Sequence, residues 1–128
     1  MITSIHGLIY SDDAPATRAF LRDVLQWQFV SEAIPGGDWP IYRTGPSELG
    51  VHPTQQDVGD ETYSMPRHHS ISLMCDDIEA TIEELRGRGA GFNGAVEDMG
   101  FGLGIMLVVP GADDILLYQP SHPTAFDL

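Results

Sequence analysis

The sequence predicts an α+β domain built from two copies of a strand–helix–three-strand (βαβββ) unit. Three observations carry that reading. They are a gap-free internal repeat, a helix-start signal at the same place in each copy, and turn residues that cut the chain after each helix into three short apolar stretches. A length of 128 residues suits one domain with its own core and is too short for two ordinary ones.

The repeat is read directly. Leu-Ile-Tyr-Ser-Asp-Asp at 8–13 runs into Ala-Pro-Ala-Thr-Arg-Ala-Phe-Leu-Arg at 14–22, and Ser-Leu-Met-Cys-Asp-Asp at 72–77 runs into Ile-Glu-Ala-Thr-Ile-Glu-Glu-Leu-Arg at 78–86. At one offset of 64 positions Asp12 matches Asp76, Asp13 matches Asp77, Thr17 matches Thr81, Leu21 matches Leu85 and Arg22 matches Arg86. Two copies are too few for a solenoid and fit a duplicated half-domain.

Taken in order, residues 2–10 alternate like a half-buried strand. Asp12-Asp13 then offers carboxylates to the open N–H groups of a first helical turn, and Pro15 sits where no N–H is needed. Ala16, Ala19, Phe20, Leu21, Val24 and Leu25 recur at helical spacing. Strands are expected near 27–33, 39–45 and 48–52, broken by Pro35-Gly36-Gly37 and Gly45-Pro46. Residues 1–53 make the first unit, and 54–68, with Gln55, Gln56, Asp57, Gly59, Asp60, Glu61 and Pro66, read as a polar linker. The second unit, 69–120, opens with a strand over 69–75. Its helix carries Ile78, Ile82 and Leu85 and ends at Gly87 and Gly89. Strands follow near 92–98, 103–109 and 114–119, broken by Gly100, Gly102 and Pro110-Gly111, and 121–128 is a tail.

Composition narrows the partners. Apolar residues make up 42% and charged residues 20%, a globular balance. No apolar run is long enough to span a membrane, and the N-terminus lacks a signal-peptide pattern. With one cysteine, Cys75, no internal disulfide can form, which suits a reducing cytoplasm. Six Lys+Arg against nineteen Asp+Glu leave a formal charge of −13. A phosphate backbone needs clustered cations, so nucleic acid is not an expected partner, whereas a cationic small molecule would be attracted.

Two βαβββ units in one short chain, with Val24-Leu25-Gln26-Trp27 closing the first helix, Trp39-Pro40-Ile41-Tyr42 and Val51-His52-Pro53 later in that unit, and Val109-Pro110-Gly111 followed by Ile115-Leu116-Leu117-Tyr118-Gln119-Pro120, resemble the vicinal oxygen chelate superfamily of glyoxalases, bleomycin resistance proteins and extradiol dioxygenases. The resemblance covers nearly the whole chain. It implies a half-open mixed β-barrel around a cavity, with the helices outside. It also implies, for metal-dependent members, a divalent ion held from the first and last strands of each unit by His and Glu.

Those positions can be tested one by one. Strand alternation puts His6, Leu8 and Tyr10 on one face of the first strand, and the repeat carries that face onto Ser70, Ser72 and Met74. The family's first ligand position falls on His6, its counterpart on Ser70, and the last-strand carboxylate position on Leu116. The matching place in the first unit is Leu49 or Gly50. Serine is a poor ligand for a divalent ion, and leucine and glycine have no donor to offer. A member with a degenerate metal site and no cofactor is therefore expected. A rearranged metal set of His6, Glu48 and His52 is the alternative.

No dinucleotide or phosphate loop is present. Gly100-Phe101-Gly102-Leu103-Gly104 reads as a turn or bulge between strands, with a flap over the cavity as its functional version. Cys75 reads as a small buried hydrophobe, and His122 as a tail residue. The expected cavity is lined by His6, Leu8, Tyr10, Trp39, Tyr42, Ser70, Ser72, Met74, Phe101 and Leu116, a mixture suited to a small cationic or aromatic organic ligand. The expectation is a cytoplasmic, homodimeric small-molecule-binding protein. Two rivals are a metal-dependent lyase, isomerase or dioxygenase, and a structural or interaction module whose cavity is filled.

Overall fold

The computed structural model describes residues 4, 6–34 and 37–128. The expected Pro35-Gly36 turn and positions 2, 3 and 5 of the first expected strand lie outside the described residues.

Both helices form where the repeated aspartates begin them. Helix α1 spans Ala14–Ala19, and the Asp13 side chain accepts from the Ala16 N–H at 3.1 Å. Helix α2 spans Ile78–Gly87, and the Asp77 side chain accepts from the Ala80 N–H at 3.0 Å. Thr17 and Thr81 hydroxyls donate back to the Asp13 and Asp77 carbonyls. The same two bonds at the same spacing are the repeat made physical. The chain after α1 widens into a π-turn over Phe20–Val24, in which the Leu25 N–H donates to the Phe20 carbonyl at 3.1 Å. The wider turn ends the helix early, at Gln26, whose φ is +58°.

Among the described residues eight strands fall into three sheets. An antiparallel hairpin pairs β1 (Phe29–Ile34) with β2 (Gly37–Tyr42), and a second pairs β3 (Gln55–Val58) with β4 (Glu61–Ser64). The largest sheet has the order β5-β8-β7-β6, from Ser72–Met74, Ile115–Pro120, Gly102–Leu107 and Phe92–Asp98. Here β5 and β8 run parallel and the other neighbours antiparallel.

The core lies between this sheet and the two helices. Ile105, Leu107, Val109, Ile115 and Leu117 from the sheet side meet Phe20, Leu21, Ile78, Ile82 and Leu85 from the helical side. Burying each such side chain stabilises the fold by roughly 1.5–3 kcal/mol. Helix α1 is tied to the same sheet by polar contacts. The Asp12 N–H donates to the Gly111 carbonyl at 2.8 Å, and the buried Thr17 hydroxyl reaches the Pro110 carbonyl and Ser11 Oγ. With helices over one face of a sheet that does not close on itself, the architecture is α+β and half-open.

Three local expectations are corrected. Residues 6–10 of the first stretch lie outside any strand, and Leu8 and Tyr10 are exposed. Gly7 still lies beside Ile71, just before β5. Residues 48–52 form no strand, because Leu49 and Val51 find no apolar layer to enter and stay exposed. Residues 55–64, read as part of a polar linker, form the β3–β4 hairpin. Its sequence signal was Gly59-Asp60 between two short alternating stretches, and a Thr62-to-Asp57 side-chain bond of 2.7 Å crosses the ladder. Among the described residues no helix is long and apolar enough to cross a membrane.

Candidate functional site

Alternation along the large sheet sorts its side chains. Leu73, Ile105, Leu107, Ile115 and Leu117 pack toward the helices, so Ser72, Met74, Met106, Leu116 and Tyr118 project from the opposite face. Register then sets them side by side. Ser72 and Met106 flank Leu116, and Met74 and Gly104 flank Tyr118. Met74, Met106, Leu116 and Tyr118 are all partly exposed, which makes this face an open apolar wall with few polar atoms.

Two glycines let the wall lie flat. A Cβ on Gly102 would collide with the Gln119 carbonyl oxygen and stand 3.0 Å from the Tyr118 ring. One on Gly104 would stand 2.8 Å from Met99 Sδ and 3.0 Å from Leu116 Cδ1. Real side chains do not approach so closely, so only glycine admits Tyr118, Met99 and Leu116 against the strand. The glycine-rich run is thus a bend at Gly100-Phe101 that leads into the start of β7 at Gly102, as the turn reading expects.

One end of the wall is polar. The Phe101 ring stands edge-on to Tyr118, with centroids 5.3 Å apart. Tyr118 Oη is 3.1 Å from His122 Nε2, and His122 Nδ1 is 2.7 Å from the Pro123 carbonyl. That carbonyl can only accept, so the neutral ring carries its proton on Nδ1, and the tyrosine donates to Nε2. Glu48 arrives from the other half of the chain. One of its oxygens accepts from the Ala125 N–H at 2.6 Å, and the other lies 3.9 Å from His122 Nε2. Desolvation, and secondarily the Glu48 charge, raise the Tyr118 phenol above its ordinary pKa.

The structure divides the residues singled out from sequence. Ser72, Met74 and Leu116 share the wall, and Phe101 meets it through Tyr118. Ser70 is exposed just before β5, and His6 and Leu8 are exposed. Tyr10 borders a surface depression of about 410 Å³ with Asp12, Gly111, Ala112 and Asp113. Trp39 and Tyr42 turn to α1, with the Arg18 guanidinium 5.2 Å from the Trp39 ring and the Tyr42 hydroxyl donating to the Arg18 carbonyl at 3.1 Å. Sequence reasoning missed Tyr118, His122 and the tail that carries the histidine. The signal available was the alternation that puts Tyr118 on the same side as Leu116.

The donors that the resemblance would require for a divalent ion are not gathered among the described residues. Leu116, which the resemblance puts at the last-strand carboxylate position, packs its side chain over Gly104. Glu48 is engaged with Ala125 and faces His122, while His52 Nδ1 is hydrogen-bonded to the Pro53 carbonyl at 2.7 Å. Among the described residues no three His, Cys, Asp or Glu side chains gather where they could hold an ion. The alternative set of His6, Glu48 and His52 is therefore not assembled.

Comparison with known proteins agrees with the fold. No curated protein sequence matches the chain. Among solved structures, an antibiotic-binding protein, TnmS3, from Streptomyces sp. CB03234 superposes with a TM-score of 0.60 at 19% identity, covering 94% of this chain and 99% of that one. A lactoylglutathione lyase from Agrobacterium tumefaciens gives 0.59 at 15% identity over 91% of this chain and 92% of its own. A glyoxalase/bleomycin resistance protein/dioxygenase from Nocardioides gives 0.53 at 15% identity over 98% and 91%. Residues 3–116 match the model of the Glyoxalase/Bleomycin resistance protein/Dioxygenase superfamily, and the chain belongs to that superfamily.

Proposed function

We propose that the chain binds a small organic molecule on the open wall of its large sheet and does so without the superfamily's metal centre. The observation that carries this reading is the pairing of a half-exposed apolar face, Met74–Met106–Leu116–Tyr118, with a leucine at the position of the family's last-strand carboxylate. Aliphatic and aromatic walls with one polar end suit a ligand of mixed character. The antibiotic-binding activity of TnmS3 is a use to which this fold can be put. The formal charge of −13 favours a cationic ligand, with rings to stack on it. In this reading the ligand site includes Ser72, Met74, Phe101 and Leu116 from the sequence reading, with Tyr118 added. A cytoplasmic setting fits the lone thiol of Cys75.

The working unit in this reading is a homodimer. Leu49, Val51, Val58, Tyr63 and Met65 are all exposed in the first half of the chain, and a second copy would cover such side chains and the open edges of the hairpins. Light scattering should return twice the 14.0 kDa chain mass.

Thermal shifts across a panel of small aromatic and cationic compounds test the function. A ligand at about 100 times its Kd adds about 2.7 kcal/mol of stability, so a binder moves the midpoint by several degrees. A panel with no response would favour an interaction module. Titration with nickel, zinc, iron and manganese tests the metal-dependent rival, for which stoichiometric binding lost on His6→Ala is required.

A further inference from the structure

We infer that the Tyr118 hydroxyl is a hydrogen-bond-accepting anchor, held in that role by His122, and that the wall takes apolar ring ligands presenting an N–H donor or an ammonium group. This rests on the small-molecule reading and names the ligand chemistry of the same site.

The argument is a count of protons and lone pairs. A phenol hydroxyl has one proton to give and two lone pairs to share. Nδ1–H of His122 is committed to the Pro123 carbonyl at 2.7 Å, which leaves Nε2 as the acceptor for the tyrosine proton at 3.1 Å. With its proton spent on the histidine, Tyr118 has lone pairs left to offer. A ligand carbonyl or ether oxygen meets another acceptor there and gains nothing, while a ligand N–H completes the chain from ligand to tyrosine to histidine to carbonyl. Successive bonds of this kind polarise one another.

The surroundings add a sign to that preference. Glu48, with its side chain only 17% exposed, has an oxygen 3.9 Å from His122 Nε2. Its other oxygen is taken by the Ala125 N–H at 2.6 Å, which fixes the carboxylate in place. Among the described residues, the titratable groups placed against His122 are Tyr118 from β8 and Glu48 from the 43–54 segment. One negative group and no cation beside the anchor favour a positively charged donor. The Phe101 ring, edge-on to Tyr118 at 5.3 Å, supplies an aromatic flank for the apolar part of the ligand.

The tail makes the anchor possible. The Ser121 N–H donates to the Phe101 carbonyl at 2.9 Å and the Ser121 hydroxyl to the Gly100 carbonyl at 3.2 Å. Those bonds fold the chain back so that His122 faces a tyrosine four residues earlier. His122 is thus a positioning residue for the tyrosine proton.

Indole and benzofuran test the inference, because they share shape and neutrality and differ in having or lacking an N–H. Titrations of the full chain followed by backbone amide NMR should show indole binding about 5–10-fold more tightly, with the shifts centred on β8. Tyr118→Phe should erase that ratio while benzofuran affinity stays within about two-fold. His122→Phe frees the tyrosine proton and should narrow the ratio by raising benzofuran affinity, a response that simple structural damage would not produce. For benzylammonium, Glu48→Gln keeps the Ala125 bond, removes the charge and should weaken binding several-fold at low salt. Equal affinities for the two heterocycles, or a ratio unchanged in Tyr118→Phe, would overturn the anchor and leave the binding reading standing. No shift with any of the three probes would overturn both.

Discussion

The two halves of this chain begin alike and end differently. Each starts its helix with an aspartate cap and a threonine bonded back to it, at an offset of 64 residues. Beyond the helices the likeness stops. Among the described residues the second half supplies all four strands of the large sheet and every sheet-side residue of the core, whereas the first supplies two short hairpins with Phe29, Val30, Val58 and Tyr63 exposed. Even Phe20 and Leu21, from the π-turn that follows α1, are buried against the second half's sheet. Local capping chemistry is therefore shared, while the folding energy is concentrated in one layer.

That contrast can be broken in order of effect. Leu107→Ala, at a fully buried position, should cost about 2–5 kcal/mol in urea denaturation, the range for a large core side chain cut to a methyl. Thr17→Val keeps the shape but leaves the Pro110 carbonyl without the hydroxyl that reaches it, and should cost about 1–3 kcal/mol. Asp13→Ala and Asp77→Ala should each cost about 0.5–2 kcal/mol, and near-equal values would show that the caps act locally in both halves. Leu49→Ala and Val51→Ala, at 80% and 95% exposure, should stay within about 0.5 kcal/mol in a dissociated chain. A larger loss that appears only at high protein concentration would locate the covering second copy on that surface.

The thiol gives the same comparison a pH axis. Cys75 packs at the edge of the core, and burial, chiefly, raises its pKa above the ordinary thiol value. The folded state thus disfavours the thiolate relative to the unfolded chain. Its contribution to stability is whole below the unfolded thiol's pKa and fades as pH rises through the folded value. Native protein should react slowly with an aromatic disulfide reagent at pH 8 and quickly in urea, and Cys75→Ala should lose less stability than the parent between pH 8 and 10.

What was legible in the sequence was what short range decides. Asp13 and Asp77 cap helices because the groups they bond lie three residues away. The strands expected near 92–98, 103–109 and 114–119 formed within about two residues of those bounds, since their apolar alternation matches a face that is buried. The first strand and the one near 48–52 carry a similar but sparser alternation, and alternation alone does not provide a layer to bury it. The Tyr118–His122–Glu48 group was illegible for a different reason. Its Glu48–Ala125 bond joins residues 77 positions apart, and no pattern within either stretch announces the other.

The bond between Ser11 and the Gly111 carbonyl spans 100 positions, and it sets a timetable for synthesis. The opening helix has nothing to dock on until the turn near residue 111 and the strand after it have left the ribosome. At about 5–20 residues per second, Phe20 and Leu21 wait some 5–20 seconds in solvent before their sheet exists. During that interval Phe20 and Leu21 lack the strand side chains they pack against in the folded core.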